Sequence, residues 1–446
     1  MKHVVVVGGG VAAKGFLSSA VAIHSDVKYT FIRKTEFGPV PCGIPYAFGT
    51  LDSPMDNISP DTGILKGGAE LIIDEVIEID SKEKNITLKS NKKLNYDKLV
   101  MAVGSEPIVP PFPGLELENI LTIEKDLNVV TKQKEIIKNS KNIVIVGGGF
   151  IGVELADEIK NFEGKNVTII ELARNVLSAA FDVKYCQAVE DILKHKNINV
   201  ITKLGVSEFK GNGKVEEVVL SNGQIVAADM VFLSIGAKPL IKLGEMAGLE
   251  TNPRAGIITD AYGYTSNSDI LAIGDCSSKI DFFSGKGSGI KLASVAAREG
   301  RIAALNLFGK VMPESPLGVT SLFSTCVHGE YFAATGMTIE QLEKSNTLFN
   351  TVDITTVDKH PTTLPNAKKI EGTFIFAKET NIILGAQLKG SVQVAELINF
   401  LGYAVQNKAS AYELYTLNYA SHPMGTPSPN KTIAHMAATA LLKKIK

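Results

Sequence analysis

The sequence predicts an α/β fold in which one parallel-sheet unit is laid down twice and an α+β segment follows. Three observations lead there. A β-branched run, a glycine cluster, a helical stretch and a second strand recur in that order at two places. From near Ser324 the pattern changes to turn-rich, alternating segments. The 446 residues also exceed one ordinary domain and point to about three.

The first copy runs through Val4-Val5-Val6-Val7, the cluster Gly8-Gly9-Gly10, a small-residue helix from Val11 to about His24, and the strand Tyr29-Thr30-Phe31-Ile32. The second runs through Ile143-Val144-Ile145-Val146, Gly147-Gly148-Gly149, a helix through Gly152 to about Phe162, and Val167-Thr168-Ile169-Ile170-Glu171. Strands joined by crossover helices build parallel sheets covered on both faces. Between the copies, Glu70 to Leu88 predicts alternating strands, and four prolines between Pro107 and Pro113 suit a crossing between domains. In the third segment, alternating stretches such as Gly372 to Gly385 precede a helix from about Val392 to Gln406. A proline-punctuated loop from Ser421 to Pro429 then leads to a short helix carrying Lys443, Lys444 and Lys446.

Each cluster fits GxGxxG/A, with Gly8, Gly10 and Ala13 in one copy and Gly147, Gly149 and Gly152 in the other. Glycine allows the tight turn and lets the backbone approach a pyrophosphate, whose charge meets the positive end of the next helix. A single match is equally a flexible turn; two in strand-turn-helix context imply two dinucleotides. An acid ending the second strand favours a free ribose 2′-hydroxyl. Glu171 has that place in the second copy, so NADH is expected over NADPH, with Arg174 leaving NADPH as the alternative. The first copy ends in Ile32-Arg33-Lys34, so its ribose lacks an acid, and Arg33 or Lys34 is expected to reach the phosphates or the adenine.

Asp275 closes the strand Asp269 to Gly274, where a carboxylate can accept from a sugar or ribityl hydroxyl; the alternative is a turn cap. Cys42 lies in Pro41-Cys42-Gly43-Ile44-Pro45-Tyr46. With Pro45 in the first turn of a helix starting near Gly43, the sulfur would sit at a helix N-terminus, where thiolate is favoured over thiol. The alternative is a small buried apolar residue, which is the expectation for Cys186, Cys276 and Cys326.

Lys plus Arg number 46 against 47 Asp plus Glu, which leaves no broad basic field for nucleic acid or an anionic membrane. No stretch has the form of a signal peptide or approaches the roughly 18 to 20 apolar residues of a span, so a cytoplasmic protein is expected. The four cysteines have no zinc or CxxC spacing, and no metal site is expected.

In this order, these residues resemble the flavoprotein disulfide reductases, and within them the single-cysteine branch that includes coenzyme A disulfide reductase, NADH oxidase and NADH peroxidase. The resemblance runs along nearly the whole chain: Gly8 to Ala13, Cys42 to Tyr46, Ala102-Val103-Gly104-Ser105-Glu106-Pro107, Gly147 to Glu154, Ile235 to Pro239, Gly274-Asp275, and Ala296 to Arg301. It implies two Rossmann-like domains, with an FAD domain (1–112 and 246–323) split by an inserted NAD(P)H domain (113–245), and a C-terminal α+β dimerisation domain (324–446) that makes a homodimer. Ala102 and Gly104 would belong to the FAD site. Hydride would pass from NADH to flavin and electrons on to oxidised Cys42, a mixed disulfide or sulfenic acid, with Glu154 near flavin and nicotinamide.

Departures refine the expectation. Peroxidase and water-forming oxidase members carry a His in the first glycine loop, where this chain has Val11-Ala12-Ala13, as in the coenzyme A disulfide branch. Members that hold coenzyme A use basic residues along the first helix, which here offers only Lys14 and His24. The tail reads Tyr419-Ala420-Ser421-His422-Pro423 in place of the tyrosines of that branch. By resemblance to two-cysteine members, His422 of one subunit would protonate the group leaving Cys42 of the other, since imidazole titrates near neutrality. Pro427 replaces the acid that normally orients such a His, and His360-Pro361 is a second candidate loop. The expected activity is NADH-dependent reduction of a small disulfide, persulfide or polysulfide, with coenzyme A as a candidate thiol carrier. The alternatives are an NADH oxidase using oxygen and a flavin-bound, NADH-responsive redox sensor.

Overall fold

Val4, Val5 and Val6 are fully buried in the strand His3–Val7, and each contributes about 1.5–3 kcal/mol by leaving water. Only a strand covered on both faces can use such an unbroken apolar run. The computed structural model, which describes residues 1–312 and 317–445, places it in the middle of a five-stranded sheet. The sheet order is Ile270–Ala272, Lys98–Met101, His3–Val7, Lys28–Arg33 and Glu70–Ile73, parallel throughout.

The second glycine-loop strand, Asn142–Val146, is likewise central. Its sheet runs Ile198–Thr202, Asn166–Glu171, Asn142–Val146, Met230–Leu233 and Ile120–Thr122, again all parallel. Each parallel unit also carries a three-stranded antiparallel sheet: Val76–Asp80, Asn85–Leu88 and Lys93–Asn95 in one, and Val206–Lys210, Glu217–Leu220 and Ile225–Ala227 in the other. Because Ile270–Ala272 returns to the first sheet after the second is complete, the second unit is inserted into the first. The chain passes between them at a two-stranded ribbon in which Ser105–Pro107 pairs with Ala237–Pro239; Pro107, which has no N–H to give, stands at its end.

The C-terminal segment is a five-stranded antiparallel sheet, in the order Leu322–Val327, Glu330–Gly336, Ile383–Gly390, Lys369–Ala377 and Phe349–Val357. Its core joins Phe374, Leu388 and Phe376 to Ile398 and Leu401 of the helix Gln393–Gln406 and to Ala437 and Leu441 of the helix Ile433–Ile445. That last helix is 13 residues long, longer than its sequence suggests; Lys446 lies outside the described residues.

One close crossing sets the geometry of the first unit. The helices Val11–Ile23 and Ala293–Leu305 touch with almost no side chain between them, since a Cβ at Gly300 would fall 2.5 Å from Ala12 O. The contact fixes the N-terminus of Ala293–Leu305 beside the first glycine loop.

Candidate functional site

Both glycine loops have backbone conformations that the neighbouring strands impose. Gly8 has φ +127°, and a Cβ there would lie 2.2 Å from Ala102 O; Gly147 has φ +109°, and its Cβ would lie 2.5 Å from Ser234 O. Gly10 and Gly149 each begin a helix with no side-chain cap and with nothing within 4 Å of where a Cβ would be. Two uncapped helix N-termini thus face open space, which is the arrangement a pyrophosphate needs. Ala13 is fully buried in the first helix, and Gly152 packs its backbone on Gly147 O, 1.9 Å from where its Cβ would be.

The residues ending the second strands differ in kind. Glu171 accepts from Gly148 N at 2.6 Å and from Ala173 N at 2.6 Å, so its carboxylate is locked against the glycine loop with lone pairs to spare for a ribose hydroxyl. Arg33 takes the equivalent position under Gly9, where a Cβ would lie 2.6 Å from Arg33 Cδ. Its guanidinium, however, donates to Thr35 O at 2.9 Å, Glu36 O at 2.5 Å and Asp61 Oδ2 at 2.6 Å. Asp61 is shared with Lys14 at 2.8 Å, and these two cations hold its carboxyl below its ordinary range against the opposing effect of burial. Arg33 is therefore held as a buried clasp within the loop while it lines the cavity, which leaves it a candidate for the FAD phosphates or adenine. Lys34 is exposed and paired with Glu75 at 2.6 Å. The basic residues of the first helix are also engaged: Lys14 by Asp61 and Ser59, and His24 by Ala304 O and the Phe308 ring.

A single continuous cavity of about 2260 Å³ joins the two loops, against roughly 300–1,000 Å³ for an ordinary ligand pocket. Cys42, Glu154, Asp275, Lys291, Thr325 and Cys326 all line it. Cys42 lies in a 3-10 turn, Pro41–Gly43, and the helix after it, Ile44–Phe48, has only five residues. The helix starts where the sequence puts it, with Gly43 as its N-cap and Pro45 in its first turn, but so short a helix has little dipole to offer. The thiol opens onto the cavity, yet burial pushes it above its ordinary range, as do the carboxylates of Glu154 and Asp275, against an opposing backbone hydrogen bond. The protein alone thus favours thiol, the reverse of the expectation from sequence.

Glu154 has its carboxyl pushed up to about 7, first by burial and then by Glu158 and Asp157, against a hydrogen bond from Thr325. Asp275 accepts from Ser105 Oγ at 2.7 Å. The turn that carries it is clamped by Glu299, which accepts from Gly274 N at 2.7 Å, and by Lys279, which donates to Gly274 O at 2.6 Å. Ala102 and Gly104 close the wall beside them.

His422 does not line this cavity. It is exposed in the tail, and its Nδ1 accepts from Met424 N at 3.3 Å. The loop of His360 joins it, with His360 N donating to Pro423 O at 3.0 Å and His360 Nδ1 lying 2.8 Å from Thr426 O. Cys186 and Cys276 are buried. Cys326, expected from sequence to be a buried apolar residue, is instead only partly buried and lines the cavity. Thr325 and Lys291 are cavity residues the sequence did not single out, since a strand and a loop give no local sign of the cavity they face.

The residues around the cavity fit two dinucleotides: each glycine loop leaves a helix N-terminus open, and Glu171 and Asp275 supply fixed acceptors for hydroxyls. Comparison with known families decides the assignment. The model for "Pyridine nucleotide-disulphide oxidoreductase" matches residues 2–300, and that for the dimerisation domain of the same family matches residues 324–432. The chain belongs to the pyridine nucleotide-disulphide oxidoreductase family. It is an oxidoreductase that works with FAD and a nicotinamide dinucleotide, and it carries the family's dimerisation domain. An Enterococcus faecalis protein named NADH oxidase is 30% identical over 434 residues, 94% of this chain and 95% of that one. A Pyrococcus horikoshii NAD(P)H coenzyme A polysulfide/persulfide reductase is 30% identical over 396 residues, 87% and 88% of the two chains. Among solved structures, a NAD-dependent persulfide reductase from A. fulgidus superposes with a TM-score of 0.90 at 27% identity, covering 99% of this chain and 83% of its own. None of the helices among the described residues is long and apolar enough to cross a membrane.

Proposed function

We propose that this homodimeric family member passes electrons from NADH to a small disulfide, persulfide or polysulfide through Cys42. The observation that carries the proposal is that Cys42, Glu154 and Asp275 line the cavity that joins both glycine loops. Gly8, Gly10 and Ala13 would receive the FAD pyrophosphate, with Ala102, Gly104 and Asp275 along the ribityl chain. Gly147, Gly149 and Gly152 would receive that of NADH, and Glu171 its 2′-hydroxyl. The FAD held there would supply the two-electron chemistry that links NADH to sulfur.

Cys42 as thiolate attacks one sulfur of the acceptor, forming a Cys42–S–S–R bond and releasing the other sulfur as a thiolate. His422 of the partner subunit gives that leaving group its proton. Two electrons then break the new disulfide and return Cys42 as thiolate with a second thiolate product. Glu154, with its carboxyl at about 7 and its charge felt by the Cys42 thiol, would hold the proton that Cys42 gives up. The relatives named persulfide reductases support a sulfur acceptor; the Enterococcus relative favours oxygen as the second reading.

The test is an anaerobic NADH titration of the yellow protein followed by coenzyme A disulfide, polysulfide, glutathione persulfide and oxygen, with Cys42→Ser alongside. Sulfur-dependent turnover that vanishes in Cys42→Ser is expected. Turnover with oxygen alone, unchanged in that variant, would replace the sulfur reading with the oxidase one, and a single reduction without turnover would indicate a sensor.

A further inference from the structure

Of the four lysines that line the cavity, Lys34 and Lys125 are engaged and Lys242 is exposed to solvent, and the nearby Lys279 and Lys14 are engaged as well. Lys279 is spent on Glu299 and Gly274 O, Lys14 on Asp61, Lys34 on Glu75, and Lys125 on Ser105. Lys291 is different. It lines the cavity half-buried, two residues before the uncapped helix Ala293–Leu305, and among the described residues its ammonium has no ion pair. The charges that act on it are Asp275, which favours the ammonium, and Lys279, which opposes it; burial outweighs both and lowers its proton affinity. Such a cation costs free energy unless something negative comes to meet it.

The position identifies that partner. Glu299 of the helix that follows Lys291 accepts from Gly274 N at 2.7 Å, which sets the Asp275 turn against the segment carrying Lys291, and Cys42 lines the same cavity and feels the Asp275 charge. On the reading proposed above, Asp275 would hold the ribityl chain of FAD, and the isoalloxazine would lie on the side of the cavity that Cys42 lines. The edge of an isoalloxazine beside its ribityl attachment carries N1 and O2, and a hydride transfer, bringing two electrons and one proton to the ring, leaves its negative charge there.

We propose that the Lys291 ammonium contacts the N1–O2 edge of bound FAD and stabilises the reduced over the oxidised cofactor. Lys291 then acts on reduction more than on binding, because the charge it complements exists only after the hydride has arrived.

Redox titration of the FAD-bound protein against a dye of known potential tests this in Lys291→Gln and Lys291→Arg. Glutamine should lower the equilibrium constant for reduction about tenfold, which is about 30 mV for a two-electron couple, with FAD content and the oxidised spectrum unchanged. Arginine, keeping the charge, should stay within about threefold of the wild type. An unchanged potential in a yellow Lys291→Gln protein overturns the proposal, as does a loss confined to acceptor KM. If glutamine abolishes FAD retention, Lys291→Met is the second variant: FAD lost from both but kept by arginine supports a charge contact with the cofactor, while loss from all three shows a packing role and overturns it. A wild-type protein that cannot be reconstituted with FAD defeats the flavin reading itself, a result distinct from any of these.

Discussion

Thr325 Oγ1 donates a hydrogen bond to Glu154 Oε1 at 2.7 Å, across 171 positions of sequence. It ties the helix of the second glycine loop, Phe150–Ile159, to the first strand of the dimerisation domain, Leu322–Val327. Asp157 of the same helix accepts from His328 N at 2.9 Å and pairs with Lys196 at 2.7 Å, and Glu158 accepts from Thr50 N at 2.6 Å. One short helix therefore carries three acids that anchor the nicotinamide unit, the dimerisation domain and the segment after Cys42 together. Of the three, only Glu154 faces the cavity.

Glu154 should make stability fall with rising pH. Its carboxyl is at about 7 in the fold against 4.5 for an ordinary one, so the folded protein binds the proton more tightly than the unfolded chain. That contribution is complete below about 4.5 and is lost as pH rises through about 7, with a size of order 3 kcal/mol at 1.36 kcal/mol per unit. Urea unfolding at pH 5, 6.5 and 8 should show the wild type declining more steeply than Glu154→Gln. Parallel declines would mean that the acid is not perturbed.

The same carboxylate should slow the chemistry of the Cys42 thiol. Burial is the largest cause of its raised proton affinity and Glu154 the next, so removing the charge should release part of the effect. Alkylation of Cys42 at pH 8, followed by mass spectrometry, is expected to run about threefold faster in Glu154→Gln, because thiolate is the reacting form. A slower or equal rate counts against electrostatic coupling of the two residues.

Glu171 should govern nicotinamide affinity and choice. Its two oxygens already accept from Gly148 N and Ala173 N, so the acid fixes the loop as well as offering lone pairs to a ribose. Replacing it with serine removes a charged acceptor, worth about 1.5–3 kcal/mol, and should raise KM for NADH roughly 10- to 100-fold while KM for NADPH rises less. Equal increases for both cofactors would reduce its role to holding the loop.

The features the sequence revealed are those with a local signature. Gly8 and Gly147 announce their turns because no other residue tolerates the conformation, and the runs Val4 to Val7 and Ile143 to Val146 announce central strands because each is apolar at every position. What escaped depends on distant partners. Arg33 shows in sequence only as a basic residue, and its hold on Asp61, 28 positions on, has no local sign. Cys42 looks activated until the helix after it proves to be one of five residues and two carboxylates prove to face it. Nothing near Thr325 or Lys291 in sequence hints at the cavity, which exists only once the sheets have packed.

His422 should matter for sulfur turnover although it lies apart from Cys42 in its own chain. Its Nδ1 accepts from Met424 N, which in the neutral ring leaves the proton on Nε2, in an exposed loop able to give it up to a partner subunit. A backbone N–H here does the orienting that an acid would otherwise do, and the adjoining His360, set against Thr426 O at 2.8 Å, braces the loop. In stopped-flow experiments, His422→Gln should leave NADH-driven flavin reduction unchanged and slow the subsequent acceptor-dependent reoxidation by about 100-fold, the usual scale of a lost general acid. His360→Gln, acting only through the loop, should cost less, and a disulfide acceptor with a good leaving-group thiolate should restore much of the His422→Gln rate because it needs no proton. Rates that fall equally for good and poor leaving groups would show that His422 shapes the interface and transfers no proton.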